Sequence, residues 1–253
     1  MHLYQLVAPD FFLGKLLSMV RAVFDVTWLI VRRPSRRSFR IAALIFRVKP
    51  RYTMVTSRNL IALYDLMQDI ERRHLPGAVV ECGVWNGGSA AVIAKASIDA
   101  IRPISTRLYW LFDSFEGLPP PTAQDGAAEQ QAYFAGWCKG DASLVREAFQ
   151  RLALPLDRVN IVKGWFEDTL PLATVGEVAL LHVDADWYDS VKLTLDTFYN
   201  RVTPGGYVML DDYGYWQGCN RAVVDFFREQ GIRNISLTQT ARGGAYFQKP
   251  AEV

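Results

Sequence analysis

Three aspartates fall where a cation would have to be shared. Asp184 follows an apolar run in His182-Val183-Asp184-Ala185-Asp186-Trp187-Tyr188, and Asp211 and Asp212 follow another in Leu210-Asp211-Asp212-Tyr213. If the two runs are adjacent strands, the three carboxylates meet at one sheet edge and repel one another unless a cation lies between them. Hard oxygen donors point to Mg²⁺, and Cys82, Cys138 and Cys219 form no cluster suited to zinc. The competing role for strand-end aspartates is to cap the helices that follow. His182, inside its apolar run, reads as a core histidine rather than a catalytic one.

A second set of residues surrounds the turn Val80-Glu81-Cys82-Gly83-Val84-Trp85-Asn86-Gly87-Gly88-Ser89, which runs from a strand into a helix. Its glycines depart from the G-x-G-x-x-G spacing of pyrophosphate sites, and bulky Trp85 lies inside the turn. An acidic residue at the strand end, Glu81, suits an amino or hydroxyl donor, and Ser89 at a helix N-terminus suits a carboxylate. Those are the groups of an amino-acid moiety. Asp113, in Trp110-Leu111-Phe112-Asp113-Ser114-Phe115-Glu116-Gly117, ends the next strand, where a carboxylate can accept both ribose hydroxyls or, alternatively, cap a helix. Trp165 and Phe166, in Gly164-Trp165-Phe166-Glu167-Asp168-Thr169-Leu170-Pro171, are candidates to stack on a base, with core packing as the competing role.

Placing these groups together requires a mainly parallel sheet with helices on both faces. Strands are expected at 78–82, 108–112, 159–162, 178–183 and 207–210, with two short closing strands at 235–238 and 245–248. Helices are expected at 59–73, 89–100, 142–152, 190–202 and 221–230. Residues 117–140, rich in Pro, Gly and Gln, form an insertion read as a lid over the acceptor. The chain thus divides into a helical N-terminal extension, 1–55, and one α/β domain, 56–253, with no internal repeat.

The apolar stretch Phe11 to Val31 is about as long as a membrane span but contains Lys15, Arg21 and Asp25. Gly14, Ser18, Arg21 and Asp25 follow i, i+4, i+7, i+11 and share one helical face, so an amphipathic helix fits better. It is expected to pack on the core or a neighbouring subunit, which would make the protein a homo-oligomer, with peripheral membrane contact through residues 11–40 as the alternative. Arg32–Arg40 reads as a basic loop, and no small-residue cleavage site follows the stretch.

With 253 residues, 50% hydrophobic and 21% charged, the composition excludes a disordered or fibrous protein. The formal net charge of +2 gives no reason to expect nucleic acid as a partner. It conceals an asymmetry, because residues 1–55 carry ten basic groups against two acidic ones (+8), leaving the remainder at −6. Three cysteines without a close pair point to a reducing, cytoplasmic setting.

Taken together, the motifs at 80–89, 112–119, 184–188 and 204–213, with Tyr52-Thr53-Met54-Val55, resemble the macrocin O-methyltransferase-like family of class I S-adenosylmethionine-dependent enzymes, which methylate sugar hydroxyls. The resemblance spans about residues 52–248 and implies a single Rossmann-like domain whose seven-stranded sheet has an antiparallel last strand. It places Glu81, Gly83, Trp85 and Ser89 around the methionine part of S-adenosylmethionine, Asp113 on the ribose and Trp165-Phe166 near the adenine. Gly87, Ser114 and Asp184 complete the expected cofactor contacts. Asp184, Asp211 and Asp212 match the family's magnesium ligands, and Asp211-Asp212 stands where the related catechol methyltransferases usually have Asp-Asn. The acceptor is accordingly expected to be a sugar, in a small molecule or glycan, with a catechol or phenol as the alternative.

In the mechanism this implies, Mg²⁺ binds neighbouring acceptor oxygens and lowers the pKa of one hydroxyl, and Asp184 is the general base. Two rival readings use other features. Asp184-Ala185-Asp186 matches the D-x-D pair of metal-dependent glycosyltransferases, but that scheme leaves the glycine turn and Asp211-Asp212 without a task. A non-catalytic interaction protein would use only the basic N-terminus.

Overall fold

The computed structural model describes residues 12–100, 106–233, 235–240 and 243–250; Phe11, at the start of the expected N-terminal helix, lies outside the described residues. Seven strands, β1 Ala78–Cys82, β2 Tyr109–Asp113, β3 Val159–Lys163, β4 Val178–Val183, β5 Val202–Leu210, β6 Thr238–Gln239 and β7 Ala245–Gln248, form one sheet in the order β3-β2-β1-β4-β5-β7-β6. The first five pair in parallel, and β7 lies antiparallel between β5 and β6. This is the expected sheet with its single antiparallel strand. The order reverses between β1 and β4, so the loops after them diverge and leave a crevice at their carboxyl ends.

Alternation along each strand distributes the core. Val79 joins one hydrophobic cluster and Val80 the other. The first cluster holds α1 Phe12–Arg32, α2 Arg36–Val48, α3 Ser57–Arg72, α4 Gly88–Ala100 and α6 Ala142–Arg151 against one face, through residues such as Val26, Ile45, Leu63, Ile93 and Phe149. The second holds α8 Tyr188–Phe198 and α9 Gln217–Glu229 against the other, through Leu195, Phe198 and Phe226. Two short helices, α5 Ala127–Ala132 and α7 Phe166–Thr169, lie in the intervening loops. No helix among the described residues is long and apolar enough to cross a membrane.

Several boundaries differ from expectation. Most of the expected basic loop at Arg32–Arg40 is helical, in the ends of α1 and α2, with Ser35 capping α2 by accepting a hydrogen bond from the Ser38 amide (3.1 Å). Ile41, Leu44, Ile45 and Val48 form the buried stripe of α2, and the arginines on its outer side conceal that periodicity. β5 starts at Val202 rather than 207, directly after a short 3₁₀ turn that ends α8. The first closing strand shrinks to two exposed residues.

Residues 117–140 are firmly seated. Trp137 meets Trp187 and Trp216 at ring-centroid separations of 6.0 and 6.1 Å, and the Trp187 indole donates to the Pro119 carbonyl (2.9 Å). Asp125 accepts from the Tyr188 amide (2.8 Å) and Glu129 from the Gln217 amide (2.6 Å). Two acidic side chains of the insertion therefore satisfy the first amides of α8 and α9.

Candidate active site

At the crevice between β1 and β4 the segments that follow the two strands touch. Gly83 has φ +90°, and a Cβ there would lie 1.7 Å from the Asp184 carbonyl oxygen, so only glycine lets the turn approach this closely. Asp113 then fixes the turn: one carboxylate oxygen accepts from the Val84 and Trp85 amides (2.8 Å each) and the other from the Phe115 amide (2.6 Å). Burial raises its pKa, with those three amides opposing the shift. Gly87 serves packing, since a Cβ there would meet Val145 of α6 at 2.8 Å.

The crevice opens into a cavity of about 540 Å³. Of the residues expected to bind a cofactor, Gly83, Trp85, Asp113, Ser114, Trp165, Phe166 and Asp184 line it. Glu81, Gly87 and Ser89 stand behind the wall instead. Asp184, Asp211 and Asp212 all line the cavity, as does Asp186.

Carboxylate oxygens of Asp184, Asp186 and Asp212 lie within 4.8 Å of one another. Asp211 sits beside this group, with one oxygen accepting from the Asn59 amide side chain (2.8 Å). Asp186 is fixed by the Trp216 indole, which donates to it at 2.8 Å. Burial, then repulsion by the neighbouring carboxylates, holds the pKa values of Asp184 and Asp212 well above the usual range. Burial also pushes that of Asp186 up to about 7, against the opposing Trp216 hydrogen bond.

His182 is a fully buried histidine, as expected, yet it adjoins the site. Its Nδ1 is 2.8 Å from Glu81 Oε1 and its Nε2 3.8 Å from Asp211 Oδ1. Burial alone would lower its pKa, but the two carboxylates outweigh that and raise it to about 9.

Two contributors were not anticipated. Asp186 had a task only in the D-x-D reading, although its spacing of two from Asp184 was a signal. The periodicity of α1 marks a polar face but gives no sign that it is a cavity wall: Gly14, Ser18, Arg21 and Asp25 all line the cavity. Lys49 joins them, its ammonium donating to the Ser18 hydroxyl (3.1 Å). Burial lowers its pKa to about 8, with Asp211 and Asp25 opposing the shift.

Residues 46–249 match the family described as Macrocin-O-methyltransferase (TylF). The chain belongs to this family. Its Streptomyces olivaceus relative, 8-demethyl-8-(2,3-dimethoxy-alpha-L-rhamnosyl)-tetracenomycin-C 4'-O-methyltransferase, is 35% identical over 72% of this chain and 69% of that protein. Mycinamicin III 3''-O-methyltransferase of Micromonospora griseorubida is 30% identical over 79% of each. The solved O-methyltransferase NovP superposes with a TM-score of 0.73 at 27% identity, covering 92% of this chain and 100% of that one. As a member of the macrocin O-methyltransferase family, the protein is an O-methyltransferase with the class I methyltransferase fold.

Proposed function

We propose that this enzyme transfers a methyl group from S-adenosylmethionine to a sugar hydroxyl, in a glycoside, polysaccharide or natural product, with Mg²⁺ held by the carboxylate cluster. One observation carries the reading: the glycine turn and four aspartates open into the same cavity. The names of the relatives, a rhamnosyl-tetracenomycin and a mycinamicin methyltransferase, favour a sugar acceptor.

The residues fit both groups. Gly83 presents a bare backbone beside Asp184, and Glu81 keeps a buried oxygen, Oε2, without a partner near the turn. Asp184, Asp186 and Asp212, with Asp211 beside them, form an all-oxygen donor set whose mutual repulsion a divalent cation would relieve. Trp165, Phe166 and Asp113 also line the cavity, which supports a role for the two rings against the adenine and for Asp113 on the ribose.

When bound, S-adenosylmethionine supplies the electrophilic methyl group, and Mg²⁺ supplies charge that acidifies and orients the acceptor hydroxyl. The cavity wall would hold the acceptor beside the carboxylates. Asp184, which lines the cavity, would take the proton of the acceptor hydroxyl as it is methylated, with S-adenosylhomocysteine as the other product. Asp186 is the second reading for the base, favoured by the Trp216 hydrogen bond that orients it and by its pKa of about 7.

Calorimetric titration with S-adenosylhomocysteine, with UDP-sugars as the control, tests the assignment. Micromolar binding of the former alone is expected. Binding of a UDP-sugar instead would move the aspartates to the glycosyltransferase reading, and no binding of either would overturn the cofactor assignment.

A further inference from the structure

Helix α1 has three faces, of which the fold and the cavity use two. Gly14, Ser18, Arg21 and Asp25 line the cavity, and Ala22, Val26 and Leu29 are buried in the core. The third face carries Leu13, Leu16, Val20, Val23, Phe24 and Val31, each between 46% and 73% exposed. At 100° per residue these six fall within an arc of roughly 100°, an apolar stripe interrupted by Thr27 rather than scattered surface residues. Trp28, 47% exposed, flanks it.

The charges around the stripe indicate what covers it. Arg32, Arg33 and Arg36 follow its C-terminal end, and among the described residues none of the three has a carboxylate at salt-bridge distance. On α2, the exposed rings of Phe39 and Phe46 share the outer side with Arg36, Arg40 and Arg47. Residues 1–55 carry +8 against −6 for the rest of the chain. An apolar stripe followed in sequence by arginines, on a helix whose successor α2 exposes further arginines and aromatic rings, matches an interface where acyl chains lie beneath anionic headgroups. A second copy docking isologously through the same stripe would bring two strongly basic segments together.

We propose that the outer face of α1 docks on an anionic phospholipid bilayer, with the helix lying in the plane of the interface. The face is separate from the catalytic carboxylates, so docking does not depend on the reaction assigned above. It does place a wall of the cavity at the membrane surface, because the same helix supplies both.

Co-sedimentation of the full chain with vesicles tests this. Vesicles of phosphatidylcholine containing about a third phosphatidylglycerol should bind at least about tenfold more protein than phosphatidylcholine alone, and high salt should release it. Phe24→Asp and Val31→Asp should each lower binding to the anionic vesicles by about tenfold, with an unchanged circular dichroism spectrum. Should Phe24→Asp unfold, Val31→Asp decides, because Val31 is the most exposed residue of the stripe. Equal weak binding to both vesicle types, or full binding by folded variants, would overturn the proposal. So would an oligomer in light scattering that Val31→Asp converts to monomers without vesicles binding the wild type, which would assign the stripe to a second copy.

Discussion

Crowded carboxylates make protonation and cation binding interdependent. The pKa of Asp186 rises from the ordinary 3.8 to about 7, and burial and repulsion raise those of Asp184 and Asp212 as well. A carboxyl whose pKa is higher folded than unfolded supports folding while protonated, and that contribution is lost as pH rises from about 4 through the folded value. Metal-free protein should therefore lose stability between about pH 4 and 7, and Mg²⁺ should raise the melting temperature more at pH 8 than at pH 5. An equal rise at both pH values would remove the cation from this cluster. Substitution then separates ligand from base. Asp184→Asn should abolish turnover while S-adenosylhomocysteine still binds; retention of more than about a tenth of the activity would rule Asp184 out as the base. If Asp186→Asn loses turnover but keeps the Mg²⁺-dependent rise, the proton goes to Asp186 instead. The strand-end aspartates were legible because apolar runs followed by acids carry their own pattern. The link from Glu81 through His182 to Asp211 was not, because it joins residues of β1 and β4 to the one just after β5, which only the sheet order brings together.

Among elements, the insertion at 117–140 shows contacts that composition does not reveal. Pro, Gly and Gln suggest a loop over the acceptor, and within it Asp125 and Glu129 also hold the N-termini of α8 and α9 and Trp137 packs on Trp187 and Trp216. Asp125→Ala should destabilise the protein by about 1 kcal/mol, which at this chain length lowers the melting temperature by about 2–4 °C. An unchanged thermal melt would mean that the Tyr188 amide finds another partner. The same insertion lines the cavity through Gly117, Leu118, Pro119, Trp137 and Cys138, so scaffold and wall coincide there. Strands were the most legible elements because their buried runs are continuous, whereas arginines obscured α2, whose register depends only on the spacing of Ile41, Leu44, Ile45 and Val48.

At the scale of the whole molecule, the cavity is assembled from two sources. Its floor, the glycine turn and the strand-end acids, lies within the family match at 46–249, whereas Gly14, Ser18, Arg21 and Asp25 come from a helix that precedes it. The sequence marked those four as one face but gave no direction for it, because which way an amphipathic helix turns is decided by the core it packs on. Here Ala22, Val26 and Leu29 face inward and orient the polar face toward the cavity. α1 meets the site through Lys49, which bonds Ser18 and faces Asp211, so it should act on the acceptor at the carboxylates rather than on the cofactor. Arg21→Ala should raise the acceptor KM several-fold, with S-adenosylhomocysteine affinity changed by less than about twofold. If instead cofactor affinity falls and acceptor KM holds, α1 closes over the methyl donor and the acceptor must enter from the side of the 117–140 insertion.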